Sequence, residues 1–351
     1  MLTRKDFLAA SGLAALALPL AACSSDETDD AAASDSADET DETSDASDDA
    51  SETTTEEAVT IRLGDQKIFL FSYAQERGIL DELFADQNVE LEVYDIGNGP
   101  ALNEAFAADQ IDFAYMAGFP ALTGSTSYGY KLIATGLQTY QDGILVAAAG
   151  SGIESISDLA GRMVGTTIGG SYHYSTYLYL ESAGLTFDDI ELYNTSTETT
   201  ASLRAGELDA GVIGLANATT LETEGSGTIV ADSTGELSYV LLCAGADFIE
   251  EHAELAQLVV LAYDAVLRYR DENLDDYLAY YEEKTGSDST STASTWDHND
   301  HWANVPGPQQ LASASRLLAW MQDNDYAEAG LTVDDVFDTT VAEAAGLEVG
   351  D

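Results

Sequence analysis

Short apolar runs alternate along the chain with segments in which apolar residues recur at helical spacing. Residues 59–63 and 89–94 alternate apolar and polar side chains, as strands with one buried face do. Residues 70–84 carry apolar side chains at the spacing of an amphipathic helix, and residues 111–116 form a third apolar run that ends at a glycine turn. Strands and helices that alternate through short turns predict a parallel sheet covered by helices on both faces.

The same pattern starts again in the middle of the chain. A short helix at 156–162 precedes a second series of strands and helices. We therefore expect two lobes: lobe 1 formed by residues 58–147 and 238–351, and lobe 2 formed by residues 148–237, with a crossover near residue 148. Helical spacing predicts further helices in lobe 1 at 255–269, 274–283, 308–321 and 333–337.

A weak internal repeat supports two similar lobes. Residues 108–118 match residues 205–214: a helix ends, an acidic and an apolar residue follow, an Asp enters a strand, and a glycine ends the strand. Because ordinary strand–helix units share this turn chemistry, chance similarity is the alternative explanation.

Length and charge limit the class of protein. The chain has 351 residues, enough for two lobes, and a formal net charge of −52 from 64 acidic and 12 basic residues. It offers no basic stripe to neutralise phosphates, which disfavours a nucleic-acid partner. The same negative charge would repel an anionic membrane surface, so the folded protein is not expected to bind such a surface through its own charges. Such an excess indicates a heavily solvated surface.

Residues 1–23 resemble a bacterial lipoprotein signal peptide that ends at a lipidated Cys23. Arg4 and Lys5 precede an apolar stretch too short to span a membrane, and small residues lead up to the cysteine. The resemblance implies a lipid-anchored protein on the extracytoplasmic face of the cell membrane. Because lysine follows Arg4 where a twin-arginine signal has a second arginine, the export route stays open. Residues 24–57 contain only Ser, Thr, Ala, Asp and Glu, so we expect a disordered acidic linker.

Few residues suggest covalent chemistry. Cys243 lies in an apolar strand-like run, so we expect a buried, inert thiol, and lipidation of Cys23 would leave it without a disulfide partner. His173 is a candidate base, but no Ser or Cys nucleophile stands in a recognisable turn, so a hydrogen-bonding histidine is the preferred interpretation. His298 and His301 have a spacing that a metal can use, although an acidic composition produces such clusters without function. We expect no catalytic residue, no metal and no cofactor.

The glycine turn within residues 169–177 is the strongest candidate for ligand binding. It joins an apolar strand to a helix, which leaves the free N–H groups of the first helical turn aimed into solvent or at a polar or anionic ligand. The alternative is an ordinary strand–helix connection. Other turns repeat the design, and open α/β sheets bind ligands at the carboxyl ends of their strands. The candidate ligand-binding residues are Gln66, Lys67, Asn98, Gly99, Pro100, Gly118, Phe119, Ser171, Tyr172, His173, Leu215, Asn217 and Trp296.

As a set, these segments resemble the solute-binding proteins of ABC importers for sulfonates, nitrate and taurine, a group that also includes thiamine-precursor binders. The resemblance covers residues 59–340 in the family's order and spacing. The segments that carry it are 61–67, 97–102, 110–115, 156–162, 169–174 and 206–210. It implies an α/β protein with the two-lobe type II periplasmic-binding fold, in which each lobe is a mostly parallel sheet flanked by helices. In that family the turns matching the candidate residues line the cleft between the lobes.

The resemblance also implies a function. The protein is expected to be the extracytoplasmic substrate-binding component of an ABC importer, a monomer that captures a small solute between two closing lobes and delivers it to a membrane permease. It is not expected to be an enzyme. An enzyme on the same fold, similar to desulfinases or to menaquinone-pathway enzymes, is one alternative, and a tethered sensor or adhesin is another.

The identity of the ligand stays open. A small anion such as an aliphatic sulfonate, taurine or nitrate is the leading candidate, because helix N-termini and Lys67 suit it, although Lys67 is equally well explained as a surface lysine. An aromatic or cationic heterocycle such as a thiamine precursor, stacked on Phe119, Tyr172 or Trp296, is the second candidate. Residues 214–217 depart from the aromatic, Asp and Pro that many family members have at this point of the pocket, so the resemblance does not fix the identity of the ligand.

Overall fold

The first strand shows how the apolar pattern becomes structure. In β1 (Val59–Gln66) the side chains of Ile61 and Leu63 are buried, whereas Thr60 is exposed. Because successive side chains of a strand point to opposite faces, this alternation turns one face of β1 into the core. The computed structural model describes residues 57–66, 68–140, 143–195, 198–286 and 302–350, and Val59–Asp351 form one compact unit.

The first sheet has five strands in the order β2-β1-β3-β10-β4. Strands β1, β2, β3 and β4 run parallel, and β10 lies antiparallel between β3 and β4. Its strands are β1, β2 (Val89–Gly97), β3 (Phe113–Ala117), β4 (Lys131–Thr139) and β10 (Ser238–Ala244). The helices that connect them are α1 (Leu70–Glu76), α2 (Ile79–Leu83), α3 (Gly99–Ala107) and α4 (Gly118–Tyr128).

The second sheet repeats this arrangement with the order β7-β6-β8-β5-β9. Its one antiparallel strand is β5, which pairs with β8 and β9. Its strands are β5 (Ile144–Ala148), β6 (Met163–Thr166), β7 (Glu191–Asn194), β8 (Ala210–Ile213) and β9 (Gly227–Ala231). Its helices are α5 (Ser171–Ser182), α6 (Thr199–Ala205) and α7 (Leu215–Glu224), with short 3-10 turns at Ile156–Leu159 and Phe187–Asp189. The prediction of an α/β fold with two mostly parallel, helix-flanked sheets is confirmed.

The crossover between the sheets lies earlier than the sequence suggested. We expected it near residue 148, but β5 (Ile144–Ala148) pairs inside the second sheet, and all five of its residues are buried. The chain therefore leaves the first sheet after Thr139 and returns to it at Ser238. A uniformly apolar strand has no polar face that would indicate which sheet it joins, so its sequence does not show that β5 belongs to the second sheet. Below, each sheet with its helices is called the first or the second lobe.

In the part of the chain that the structure describes, six helices follow β10 and pack against the first lobe. The predicted helices at 308–321 and 333–337 are present with nearly the expected bounds. The six are α8 (Ala246–Glu251), α9 (Ala253–Glu272), α10 (Leu274–Thr285), α11 (Pro308–Asp323), α12 (Val333–Val336) and α13 (Thr340–Ala344). Among the described residues no helix is long and apolar enough to cross a membrane.

The internal repeat corresponds to the same hydrogen bonds in both lobes. Asp112 enters β3 and accepts from the Arg62 backbone N at 2.7 Å, while its own N donates to Arg62 O at 2.8 Å. Asp209 enters β8 and makes the equivalent pair with Met163, at 3.0 Å in both directions. Each aspartate thus ties the start of one strand to its parallel neighbour, so the two units share a structural device as well as turn chemistry.

Candidate ligand-binding site

A pocket of about 430 Å³, including space continuous with solvent, lies between the two lobes. Its walls come from the start of α4 in the first lobe, the start of α5 in the second lobe, the connection between β9 and β10, and one face of α11. It is lined by Gly118, Phe119, Ser171, Tyr174, Ser175, Leu178, Thr234, Glu236, Leu237, Ser238, Tyr239, Ser313 and Leu317. Two helix starts on opposite lobes, both chosen from the sequence, therefore face one cavity.

The first-lobe wall begins where β3 ends. A side chain on Gly118 would meet only ordinary contacts, the nearest being the Tyr239 ring at 3.5 Å, so the glycine keeps the pocket open rather than relieving a clash. Phe119 is 2% exposed, and its ring centroid lies 6.0 Å from that of Trp320 and 5.5 Å from that of Tyr326. Phe119 therefore connects the first-lobe wall of the pocket to α11.

The second-lobe wall depends on the glycine turn before α5. Gly169 has φ +78°, a left-handed conformation that L side chains rarely adopt, and the turn closes through a bond from Gly170 N to Thr167 O at 3.1 Å. The helix then begins at Ser171 and places Tyr174 one turn along, 8% exposed against the pocket. This is the geometry that the sequence predicted for the turn.

The third wall contains two polar groups that sequence reasoning missed. Glu236 accepts hydrogen bonds from Arg316 through Nε at 3.0 Å and through Nη2, and its side chain is 15% exposed against 58% for the arginine. Tyr239 is 3% exposed, and its hydroxyl has no hydrogen-bond partner in the described structure. The nearby Ser313 hydroxyl donates to Leu237 O at 2.8 Å. Burial raises the pKa of Tyr239 above its ordinary value, so the hydroxyl stays protonated.

A cluster of six rings, here called the aromatic clasp, connects the lobes beside the pocket. Trp320 of α11 is its centre, with ring-centroid distances of 5.3 Å to His173, 5.3 Å to Tyr174 and 5.5 Å to Tyr177, all on α5. The other two members, Phe119 and Tyr326, lie at 6.0 and 5.8 Å from Trp320. Nothing in the local sequence signals this contact, because Trp320 and α5 are far apart along the chain.

His173 belongs to this clasp rather than to the pocket lining. It is 5% exposed, and its Nδ1 accepts a hydrogen bond from Gly169 N at 3.4 Å. Burial lowers the pKa of His173, because the charged imidazolium loses hydration among the surrounding rings. These contacts support the interpretation of a hydrogen-bonding histidine over that of a base.

The polar groups in the turn after β1 make hydrogen bonds with other groups of the protein. Asp65 is fully buried and accepts from Gln66 N at 3.0 Å, Ser72 N at 2.7 Å and the Tyr115 hydroxyl. Leu70 N donates to that hydroxyl at 3.0 Å, and Gln66 Nε2 donates to Tyr115 O at 3.0 Å. Desolvation raises the pKa of Asp65 to about 6. In the first turn of α1, the N–H groups of Leu70 and Ser72 thus already donate to protein partners.

The remaining candidates that the structure describes do not line the pocket. Asn98 is exposed and caps α3 by accepting from Ala101 N at 3.0 Å. Gly99 is buried where a Cβ would stand 2.6 Å from Pro120, and Pro100 is exposed.

At the start of α7, Leu215 is half-buried and Asn217 is exposed. A side chain on Gly214 would stand 2.8 Å from the hydroxyl of Tyr172, so the tyrosine occupies that space. Of the thirteen residues predicted from the sequence, the structure brings Gly118, Phe119 and Ser171 to the pocket. Lys67 and Trp296 lie outside the described residues, as do Cys23, His298 and His301.

Comparison with known proteins identifies the family. The family described as NMT1/THI5 like matches residues 67–270, more than half of the chain. The chain belongs to the NMT1/THI5-like family. A Haemophilus influenzae protein named for thiamine biosynthesis is 30% identical to this NMT1/THI5-like chain over 142 residues, 40% of the chain. That match spans 43% of the relative's length, so the chain covers less than half of the curated relatives it matches.

Solved structures show the fold of this NMT1/THI5-like chain. The periplasmic aliphatic sulphonate-binding protein SsuA from Escherichia coli has a TM-score of 0.69 and 18% identity, covering 80% of this chain and 92% of its own. The desulfurization enzyme DSZB has a TM-score of 0.56 and 17% identity, covering 82% of this chain and 98% of its own. The predicted periplasmic-binding fold is confirmed. Because a binding protein and an enzyme both have it, the fold alone does not decide between them.

Proposed function

We propose that this chain captures a small solute between its lobes and delivers it to an ABC permease, without covalent chemistry. The observation that carries the proposal is the pocket whose walls come from α4 of the first lobe and α5 of the second. A ligand that touches both walls binds the closed arrangement better than an open one, and that difference in affinity is all that closure requires.

The character of the lining supports binding over catalysis. The described lining residues include hydroxyl groups, aromatic and aliphatic side chains and one carboxylate, with neither Cys nor His among them. Cys243 is fully buried in β10, and burial raises the pKa of its thiol, which makes a thiolate nucleophile unfavourable. The enzymatic alternative, favoured by the similarity to DSZB, would have to work without a Cys or His side chain from the described residues of this lining.

We further propose that Cys23 carries a lipid and that residues 24–57 hold the folded unit away from the cell membrane on its extracytoplasmic side. The support is the signal-like composition of residues 1–23 and the fold shared with a protein described as periplasmic. A tethered binding protein of this kind acts as a monomer beside its permease.

A ligand screen on the purified chain tests the solute-binding proposal. Melting temperatures are measured with sulfonates, taurine, nitrate, aminopyrimidines and polyamines, since a solute that binds only the native form raises the melting temperature. Gly118→Leu places a side chain in the pocket and is expected to abolish the shift. Gly245→Leu is the matched control, because Gly245 stands at a helix start as Gly118 does, lies outside the pocket, and a Cβ added to it would have only ordinary contacts, at 3.7 and 4.0 Å.

Two results would contradict the proposal. One is a ligand shift of equal size in Gly118→Leu and in the wild type, which would place the binding site elsewhere. The other is conversion of a hit into a new product by the wild-type chain, detected by mass spectrometry of the incubation mixture, which would favour the enzymatic alternative.

A further inference from the structure

His173 is an ionisable group buried at the contact between the lobes. Its ring belongs to α5 of the second lobe, and two first-lobe rings lie close to it, with centroid distances of 5.3 Å to Trp320 and 5.8 Å to Tyr326. Phe187 of the second lobe covers another side at 5.0 Å. Opening the cleft would remove the two first-lobe rings and leave Phe187 in place. The hydration of the imidazole therefore depends on whether the lobes are together.

The hydrogen bond of His173 fixes the form of its ring. Nδ1 accepts from Gly169 N at 3.4 Å, so the neutral ring carries its proton on Nε2. A proton added to Nδ1 would point at the N–H of Gly169, and the hydrogen bond would be lost. That bond spans the glycine turn that places the start of α5 at the pocket. Protonation of His173 therefore acts on the second-lobe wall as well as on the clasp.

The start of α5 is also an unfavourable place for a positive charge. His173 is the third residue of the helix, where the helix dipole is positive, and the first turn, residues 171–174, contains no acidic side chain to offset it. Burial lowers the pKa of His173 below its ordinary value of 6.5. The closed arrangement therefore holds the neutral ring, whereas a hydrated ring in an open arrangement takes up a proton more readily.

The carboxylates on the elements packed around His173 are all exposed, and among the described residues no hydrogen bond joins any of them to its ring. They are Glu181 on α5, Asp188 and Asp189 in the 3-10 turn, Asp323 on α11 and Asp325 after it; the other titratable or charged groups on these elements and on α4 are Tyr128, Tyr172, Tyr174, Tyr177, Tyr326 and Arg316, which pairs with Glu236. Solvent screens the exposed charges in both arrangements, so burial of the imidazole, which is 5% exposed, decides which form the closed arrangement prefers.

We infer that His173 makes closure of the lobes depend on pH: the neutral ring stabilises the closed arrangement, and protonation of the ring favours the open one. The inference goes beyond solute capture, because it concerns closure whether or not a solute is bound. Closure is unaffected well above pH 6.5 and weakens as the pH falls through the pKa of the hydrated ring. At pH 5.5 roughly ten of every eleven open molecules are protonated, so the ratio of closed to open molecules falls by up to about tenfold.

An NMR titration of the histidine rings in the purified chain is the first test. In the wild type the pKa of His173 should lie below 6.5, with the neutral ring protonated on Nε2. It should rise toward 6.5 in Trp320→Leu, which removes a first-lobe ring and weakens closure. His252 is the internal control, because it precedes α9 and contacts Phe248 outside the clasp, so its pKa should be the same in both chains.

Small-angle X-ray scattering at pH 7.5 and 5.5, at one ionic strength and without a solute, is the second test. Tyr177→Leu serves as the background, because it removes one ring contact between the lobes without touching His173 and so shifts the balance toward open molecules. Its radius of gyration should be larger at pH 5.5. Adding His173→Asn, which cannot be protonated, should abolish that increase, whereas adding His252→Asn should leave it unchanged. Asp65, with its pKa raised to about 6, is present in all these chains and is thereby controlled.

Two results would overturn the inference. One is a pKa of His173 at or above 6.5 in the wild type, which would mean that the clasp stabilises the charged ring. The other is the same response of the radius of gyration to pH in Tyr177→Leu with and without His173→Asn. Neither result changes the ligand screen with Gly118→Leu, so the proposed solute capture is decided separately.

Discussion

The aromatic clasp predicts that Trp320→Leu opens the cleft. Trp320 has five ring neighbours among the residues that the structure describes, and three of them, His173, Tyr174 and Tyr177, belong to the second lobe. These three contacts form only when the lobes are together, whereas the contacts with Phe119 and Tyr326 stay within the first lobe. Leucine retains apolar volume against the first lobe, so the substitution acts mainly on the contacts between lobes.

The size of the effect follows from these ring pairs. An aromatic pair contributes about 0.5–1.5 kcal/mol beyond area burial, so three pairs stabilise the closed arrangement by roughly 1.5–4.5 kcal/mol. At about 1.4 kcal/mol per factor of ten, the ratio of closed to open molecules should fall by roughly ten- to a thousandfold. Affinity for any solute that needs the closed form should fall with it.

Small-angle X-ray scattering of the ligand-free chain measures the effect. Trp320→Leu is expected to have a larger radius of gyration than the wild type. Trp302→Leu is the matched control, because Trp302 is 46% exposed and lies outside the clasp. Its ring centroid is 4.6 Å from the guanidinium carbon of Arg268. Superimposable scattering curves for Trp320→Leu and wild type, with both chains folded by circular dichroism, would refute the reasoning.

Two further predictions come from the structure, and a third comes from the sequence of residues 1–23. Asp65 has its pKa raised from 3.8 to about 6, so its contribution to stability is complete below pH 3.8 and is lost as the pH rises to about 6. The difference in free energy of unfolding between the wild type and Asp65→Asn, measured by urea titration, should therefore fall by about 3 kcal/mol as the pH rises from 3.8 to about 6. A difference that stays constant over this pH range would contradict the prediction. Gly169→Ala should destabilise the chain by about 1–2 kcal/mol through its φ of +78°, while Gly170→Ala, at φ −122°, should cost much less; equal costs would remove the strain argument. Cys23→Ala should move the exported chain from the membrane fraction to the soluble fraction, and unchanged membrane retention would argue against the lipid anchor.

The strands and helix starts of the two lobes could be predicted from the sequence because the residue patterns that indicate them are local. The alternation in β1 and the glycines before α5 each fix the conformation of neighbouring residues, whatever lies across the cleft. Strand β5 shows the limit: its five buried residues have no polar face, so pairing with β8 and β9 decides which sheet it joins.

The polar wall of the pocket could not be predicted from the sequence in the same way. Glu236 and Tyr239 stand where the chain returns from the second sheet to the first, and Ser313 lies inside a helix whose sequence shows only an amphipathic pattern. None of these positions has the glycine turn that marked the other candidates. Their proximity depends on long-range packing, as does the burial of His173 against Trp320.

The measurement that tests the central claim most directly is a crystal structure of the chain with a hit from the ligand screen. We predict density for the ligand between Gly118 and Ser171, with a polar atom of the ligand within hydrogen-bonding distance of the Tyr239 hydroxyl. Density on the outer surface of either lobe, with the pocket unchanged, would contradict the claim that the two helix starts form one binding site.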